Sequence, residues 1–169
     1  MTGGAHFNED HTHRYRLWRT WGPGERLLWV MLNPSKAGWP DDDATIRRCT
    51  GYAEAWGYSG YDVVNLSSLV ATNPRHLLAT PPEAAWTAET DREIAAALQG
   101  QPTVVVAWGA TVDRSPALHA RAAEVLALVD HHGRTAWCLG TTKNGSPKHP
   151  LYLPKSAELL PFGVAAYFS

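Results

Sequence analysis

The sequence predicts an α/β protein: a mostly parallel sheet of about four strands with helices on both faces. Three observations lead there. Four short apolar runs recur along the chain, Leu27–Leu32, Tyr61–Val64, Thr103–Ala107 and Thr135–Leu139. Segments of helix length separate them, as buried parallel strands require. Each run then breaks into a polar or glycine-bearing loop: Asn33-Pro34-Ser35-Lys36, Asn65-Leu66-Ser67-Ser68, Trp108-Gly109-Ala110, and Gly140 leading on to Lys148-His149-Pro150. Ligands bind beyond the carboxyl ends of such strands. The four loops are therefore expected to face one crevice.

The elements follow in order. Arg14 to Trp21 alternates as a strand does, and Gly22-Pro23-Gly24 is a turn signal, so a hairpin with the run from Arg26 to Leu32 is predicted. Asp43 is a natural N-cap, with Asp41 and Asp42 at the positive end of the same helix. Ile46, Cys49, Thr50, Ala53 and Trp56 then fall at helical spacing, and Gly57 closes the segment. A strand from Tyr61 to Leu66 follows. Thr72-Asn73-Pro74 and Thr80-Pro81-Pro82 bracket a loop, and a helix is predicted from Glu83 to Leu98. Gly100-Gln101-Pro102 delivers the third strand. Ser115-Pro116 reads as an N-cap with a first-turn proline, and Leu118, Ala122, Val125, Leu126 and Val129 form the buried face of that helix. Gly133 turns into the fourth strand.

The 169 residues fit a single domain spanning 1–169, with Met1 to His13 expected as a frayed, polar, His-rich segment. Hydrophobic residues make up 44% of the chain, but no apolar run is long enough for a transmembrane helix and none resembles a signal peptide. A cytoplasmic protein with no membrane partner is expected. The formal net charge of −1 neither demands nor excludes nucleic acid, so cations must be judged by local placement. Cys49 and Cys138 belong to no CxxC pair, and two cysteines cannot supply the four thiolates of an iron–sulfur cluster. No metal site is expected: His6, His11 and His13 lie in the frayed segment, and His131-His132 end a helix where cations are favoured anyway.

The loops carry the chemistry. An amide cannot act as a general base, but the Asn33 oxygen can hold a water against a reacting carbon. Pro34 fixes that turn, and the Ser35 hydroxyl suits a phosphate. Asn65 both donates and accepts, as a residue reading a nucleobase edge must. A neutral His149 aimed at an oxygen that gains charge would be an electrostatic catalyst worth ~3 kcal/mol. Asp42 is a candidate to activate water, although helix capping and dipole complementarity account for much of the Asp41-Asp42-Asp43 run. The segment from Thr141 to Ser146 could bring backbone amides to a phosphate, without the spacing of a P-loop.

In order and content these motifs resemble the uracil-DNA glycosylase superfamily. The correspondence runs from about Arg26 to Pro154. Met31-Leu32-Asn33-Pro34-Ser35 is similar to its first loop, and Val63-Val64-Asn65-Leu66 to its strand ending in a base-reading Asn. Val106-Ala107-Trp108-Gly109 matches its strand ending in Trp-Gly, and His149-Pro150-Leu151-Tyr152-Leu153 its His-Pro loop with an apolar wedge. The chain departs from that pattern in three places. Met31 stands where the superfamily has Gly, the first loop carries Asn33 in place of a water-activating Asp, and no Ser follows Pro150. More closely, the whole chain looks like a bacterial and phage family of unknown function. The shared features are the Asn-Pro-Ser loop, the run from Asp42 to Cys49, and Gly-x-Pro-x-His-Pro-Leu-Tyr.

The superfamily resemblance implies a three-layer α/β/α fold and a DNA base glycosylase acting on a flipped base, without cofactor or metal. In that reading Asn33 positions water, His149 stabilises the departing base, and Asn65 reads it. Trp39, Ser35 and Trp108 complete the base pocket. Lys36, Arg47, Arg48, Ser68, Lys143 and Lys148 contact DNA phosphates, while Leu151 and Tyr152 fill the gap left in the duplex. DNA, single- or double-stranded, is the expected partner of a monomer. Two alternatives stay open: an enzyme using the same pocket on free nucleotides or nucleosides, and a silent module that binds a modified base.

Overall fold

The four apolar runs become the central strands. In the computed structural model, which describes residues 1–168, they are β3 (Leu27–Met31), β4 (Gly60–Asn65), β5 (Thr103–Val106) and β6 (Ala136–Cys138). They pair in parallel in the spatial order β4-β3-β5-β6. Three further strands extend this sheet to seven. β2 (Arg14–Thr20) lies antiparallel on β4, β1 (Thr2–Phe7) on β2, and β7 (Leu160–Pro161) on β6. The helices are α1 (Ala44–Ala55), α2 (Pro74–Ala79), α3 (Pro82–Ala85), α4 (Ala88–Gly100), α5 (Pro116–His131) and α6 (Val164–Tyr167).

Alternation along the central strands builds two cores. Leu28, Val30, Val64, Val104 and Val106 pack on one face with Ile94 and Leu98 of α4 and Leu118, Ala122 and Val125 of α5. Leu27, Trp29, Met31, Tyr61, Val63 and Val105 pack on the other with Ile46, Cys49, Tyr52 and Ala53 of α1. Helices thus cover both faces, which is why every residue of β3 and β4 is buried. Among the described residues no helix is long and apolar enough to cross a membrane.

Four expectations need correction. The sheet is mixed and seven-stranded, not four-stranded and mostly parallel: three of its six pairings are antiparallel. The predicted hairpin is absent, because β4 inserts between β2 and β3. Residues 1–13 are not frayed. β1 pairs with β2 from Thr2↔Thr20 onward, and Trp18 lies so close over Gly4 that no side chain fits there. The helix predicted from Glu83 begins instead at Ala88. Trp86 ends the short α3, and the Thr90 hydroxyl accepts from the Thr87 N–H at 3.0 Å to start α4 afresh.

Chain order fixes where a ligand can sit. From β3 the chain moves one way to β4, then crosses back to β5 on the other side. The strand order therefore reverses between β3 and β5, and a crevice opens beyond their carboxyl ends. Two devices hold its walls. Asp43 caps α1, accepting from the Ile46 N–H at 2.8 Å. The buried Arg121 of α5 donates to the Leu66 carbonyl at 2.9 Å, pinning the chain just past Asn65.

Candidate functional site

A cleft of about 760 Å³ occupies that switch point, and all four strand-end loops reach it. Asn33, Ser35 and Lys36 enter from the loop after β3, Asn65 from the end of β4, and Trp108 and Gly109 from the end of β5. His149, Leu151 and Tyr152 come from the 3-10 turn beyond β6. Asp43 at the start of α1 and Arg14 at the start of β2 complete the wall.

Asn65 is the unusual group. It is only 4% exposed, and its Nδ2 is buried without any hydrogen-bond partner among the described residues. Buried amides are nearly always satisfied, so an orphan on a cleft wall points to a ligand. Asn33 is oriented instead: its Nδ2 donates to the Ala71 carbonyl at 2.7 Å and the Pro34 carbonyl at 3.1 Å. That leaves Oδ1 as its available acceptor.

His149 is held in one tautomer. Its Nδ1 accepts from the Leu151 N–H at 3.2 Å, so the neutral ring carries its proton on Nε2. Burial pulls its pKa below the ordinary 6.5, opposed by the nearby Asp43 charge. The sign of the pH effect follows. As pH falls through about 6.5, the unfolded chain takes up this proton more readily than the folded one. Stability is full above that point and is lost below it, down to the depressed folded pKa. We expect the melting temperature to fall between pH 7 and 5 by more in the wild type than in His149→Asn, whose side chain does not titrate.

Gly109 lets the histidine approach. Its φ is +79°, and a Cβ there would lie 3.3 Å from the His149 Cβ. Its N–H donates to the Pro147 carbonyl at 2.8 Å, tying the end of β5 to the His149 loop. Gly109→Ala is expected to cost ~1–2 kcal/mol of stability from the left-handed backbone. By displacing His149 it should also lower any catalytic rate ~10-fold, measured by chemical denaturation and single-turnover kinetics.

Other expected site residues lie elsewhere or do other work. Asp42 does not border the cleft; Arg19 holds its carboxylate at 2.7 Å. Trp39 is 44% exposed, with the Arg19 guanidinium 4.9 Å from its ring centre, and is also outside the cleft. Arg48 donates to the Leu153 carbonyl, which fastens the His149 turn to α1, and it does not border the cleft. Ser68 is buried, donates to Thr90 at 2.9 Å and does not border the cleft. Trp108 borders the cleft but is only 1% exposed, with Nε1 donating to the Tyr167 hydroxyl at 3.3 Å. It is a packed wall, not a free stacking face. The Ser35 hydroxyl donates to Asp43. Arg47 and Lys143 are exposed, and neither they nor Lys148 border the cleft.

Sequence reasoning missed Arg14 and treated Asp43 as a cap alone. Arg14 opens a strand remote from every motif, and no spacing links it to the loops. The capping role of Asp43 was legible; its place on the cleft wall depends on how α1 docks. Outside the cleft, the ligand atoms of His6, Glu89 and Glu93 lie within 4.8 Å of one another. His6 is hydrogen-bonded to Glu93 at 2.7 Å, and Glu89 pairs with Arg92.

The family described as "Protein of unknown function (DUF1643)" matches residues 14–151. The chain belongs to this family. The DUF1643 span opens at Arg14 and closes at Leu151, both on the cleft wall, and of the lining residues omits Tyr152 alone. β1, at the amino-terminal edge of the sheet, and the tail carrying β7 and α6 lie outside the DUF1643 match. No curated protein and no solved structure matches this DUF1643 chain.

Proposed function

We propose that this protein is a DNA base glycosylase-like hydrolase that cleaves the N-glycosidic bond of a damaged or modified base flipped out of DNA. The observation that carries this reading is Asn65: a buried amide without a protein partner, on the wall of a cleft shared with Asn33 and a neutral, Nε2-protonated His149. The cleft volume falls within the roughly 300–1,000 Å³ of small-ligand sites. The resemblance of the motif order to that of the uracil-DNA glycosylase superfamily adds to the case.

Bond breaking releases the glycosidic electron pair to the base, and His149 donates a hydrogen bond from Nε2 to the oxygen that gains charge. A water held by Asn33 Oδ1 adds to the sugar cation at its anomeric carbon. The water's surplus proton passes to solvent, and the base anion is protonated on release. Flipping costs a few kcal/mol. Leu151 and the 91%-exposed Tyr152, adjoining the cleft, suit the gap left in the duplex. Lys36 at the rim suits a phosphate.

One observation favours a second reading, the silent base-binding module. Asp43, the carboxylate bordering the cleft, already accepts from Ser35 and from the Ile46 N–H. One experiment separates the two. The protein is incubated with oligonucleotides that each carry a different base, then heated in alkali, which breaks strands at abasic sites. A strand break at one modified position supports the hydrolase. Base-selective binding without breakage leaves the module, and the absence of both breakage and selective binding ends both readings.

A further inference from the structure

Three guanidinium groups in this protein are almost wholly buried: Arg14 at 3%, Arg19 at 0% and Arg121 at 1% exposure. Buried charges are ordinarily paired, because desolvation is otherwise uncompensated. Two of the three obey. Arg19 pairs with Asp42 at 2.7 Å, and Arg121 with Asp91 at 2.7 Å and Glu124 at 3.1 Å. Arg14 has no carboxylate within ion-pair distance among the described residues. Its Nη1 donates to the Ala37 carbonyl at 2.8 Å, and its Nε, like those of Arg16, Arg26 and Arg48, is buried with no hydrogen-bond partner among the described residues. Asp43 is near enough for its charge to be felt, but its oxygens serve Ser35 and Ile46. Of the three arginines, Arg14 alone borders the cleft.

We infer that Arg14 is a base-reading residue of this cleft, and that its partner is a pair of adjacent acceptors on the ligand, a keto oxygen beside an unprotonated ring nitrogen. The inference rests on the reading of the cleft as a nucleobase site. The Arg14 N–H donates to the Ser68 carbonyl at 2.9 Å, which sets the start of β2 against the chain just past Asn65. Of the residues with an unpartnered buried nitrogen among the described residues, only Arg14 and Asn65 line the cleft, and both present donors: a guanidinium has no acceptor, and the orphaned atom of Asn65 is its Nδ2. Burial lowers the Arg14 pKa only to about 10, so the group remains a cation at neutral pH. Its depth argues for the base over the backbone, since phosphates stay at the surface, where Lys36 stands. Arginine commonly reads such a pair bidentately, as at guanine O6 and N7. Oxopurines offer it at O6/N7 and cytosine-type bases at O2/N3. Uracil does not, because a ring N–H separates its two keto oxygens.

The test is equilibrium binding of the full chain to single-stranded oligothymidylates carrying one central hypoxanthine, cytosine, uracil or 7-deazahypoxanthine. The wild type should bind the hypoxanthine or the cytosine strand at least about ten-fold tighter than the uracil and 7-deazahypoxanthine strands. Which of the two is preferred identifies the source of the acceptor pair. Arg14→Met should erase the preference while leaving the protein folded with little change in melting temperature, because removal of a buried charge without an ion-pair partner offsets the loss of the Ala37 hydrogen bond. No preference in the wild type, a preference that survives Arg14→Met, or a uniform loss across all four strands overturns the inference. Should Arg14→Met not fold, Arg14→Lys, which keeps the charge and loses the fork, must lose the preference too; its survival there is equally fatal. The readout is affinity, so an absence of base release would end the hydrolase reading without deciding this one.

Discussion

His149→Ala is expected to lower single-turnover base release at least ~100-fold, the loss typical of removing one donor to a developing oxyanion. The ring has two separable jobs. In the proposed reaction Nε2–H serves the departing base, while Nδ1 receives the Leu151 N–H and shapes the turn that carries Leu151 and Tyr152. Two substitutions divide them. His149→Asn places a polar atom near Nδ1 and nothing at Nε2, so it should preserve the melting temperature and lose the rate. His149→Gln reaches the Nε2 position and should recover part of the rate at some expense to the turn. Equal rates in wild type, Asn and Gln variants would remove His149 from the chemistry.

Asn65→Ala is expected to weaken binding of the preferred base roughly 10- to 100-fold, as the loss of a base-reading amide does. Thermal stability should stay level, because Nδ2 has no protein partner to lose. That combination is the signature of a side chain kept for a ligand. Asn65→Asp sharpens the measurement: an acceptor then replaces the donor, and preference should shift towards bases presenting a donor at that edge. Equilibrium titration against the oligonucleotide panel, alongside thermal melts, reads both. A stability loss with unaltered selectivity would make Asn65 a structural residue.

Much of the fold was legible because its central strands are buried on both faces. Such strands read as continuous apolar runs, and Leu27–Met31 and Thr103–Val106 appear where those runs lie. Asp43, Gly57 and Ser115-Pro116 marked helix ends through capping chemistry that is local in sequence. The edges were not legible. β1 carries Gly3 and Gly4 and little alternation, and it holds through backbone pairing and through Trp18 filling the space above Gly4. β7 has two residues, both exposed. The insertion of β4 beside β2 is a tertiary choice that a Gly-Pro-Gly turn does not reveal.

The site divides in the same way. Asn33 and Asn65 sit at strand ends and His149 in the loop that follows β6, where chain order alone predicts convergence, and they do share one cleft. Residues chosen by type without position fared worse. Arg48, Ser68 and Asp42 looked like phosphate or water ligands, yet each lies off the cleft and bonds to other parts of the protein. Arg14 went unseen because its meaning lies in a missing partner, and a missing partner is visible only once burial and neighbours are known.

The most direct measurement is a crystal structure of the protein with the tightest-bound oligonucleotide of the panel, its target nucleotide made resistant to hydrolysis by a 2′-fluoro group. The expected result is a base seated in the cleft, its edge ~3 Å from Asn65 Nδ2, with Tyr152 or Leu151 in the vacated stack. DNA lying across another face, with the cleft empty and Asn65 still unpartnered, would contradict the account.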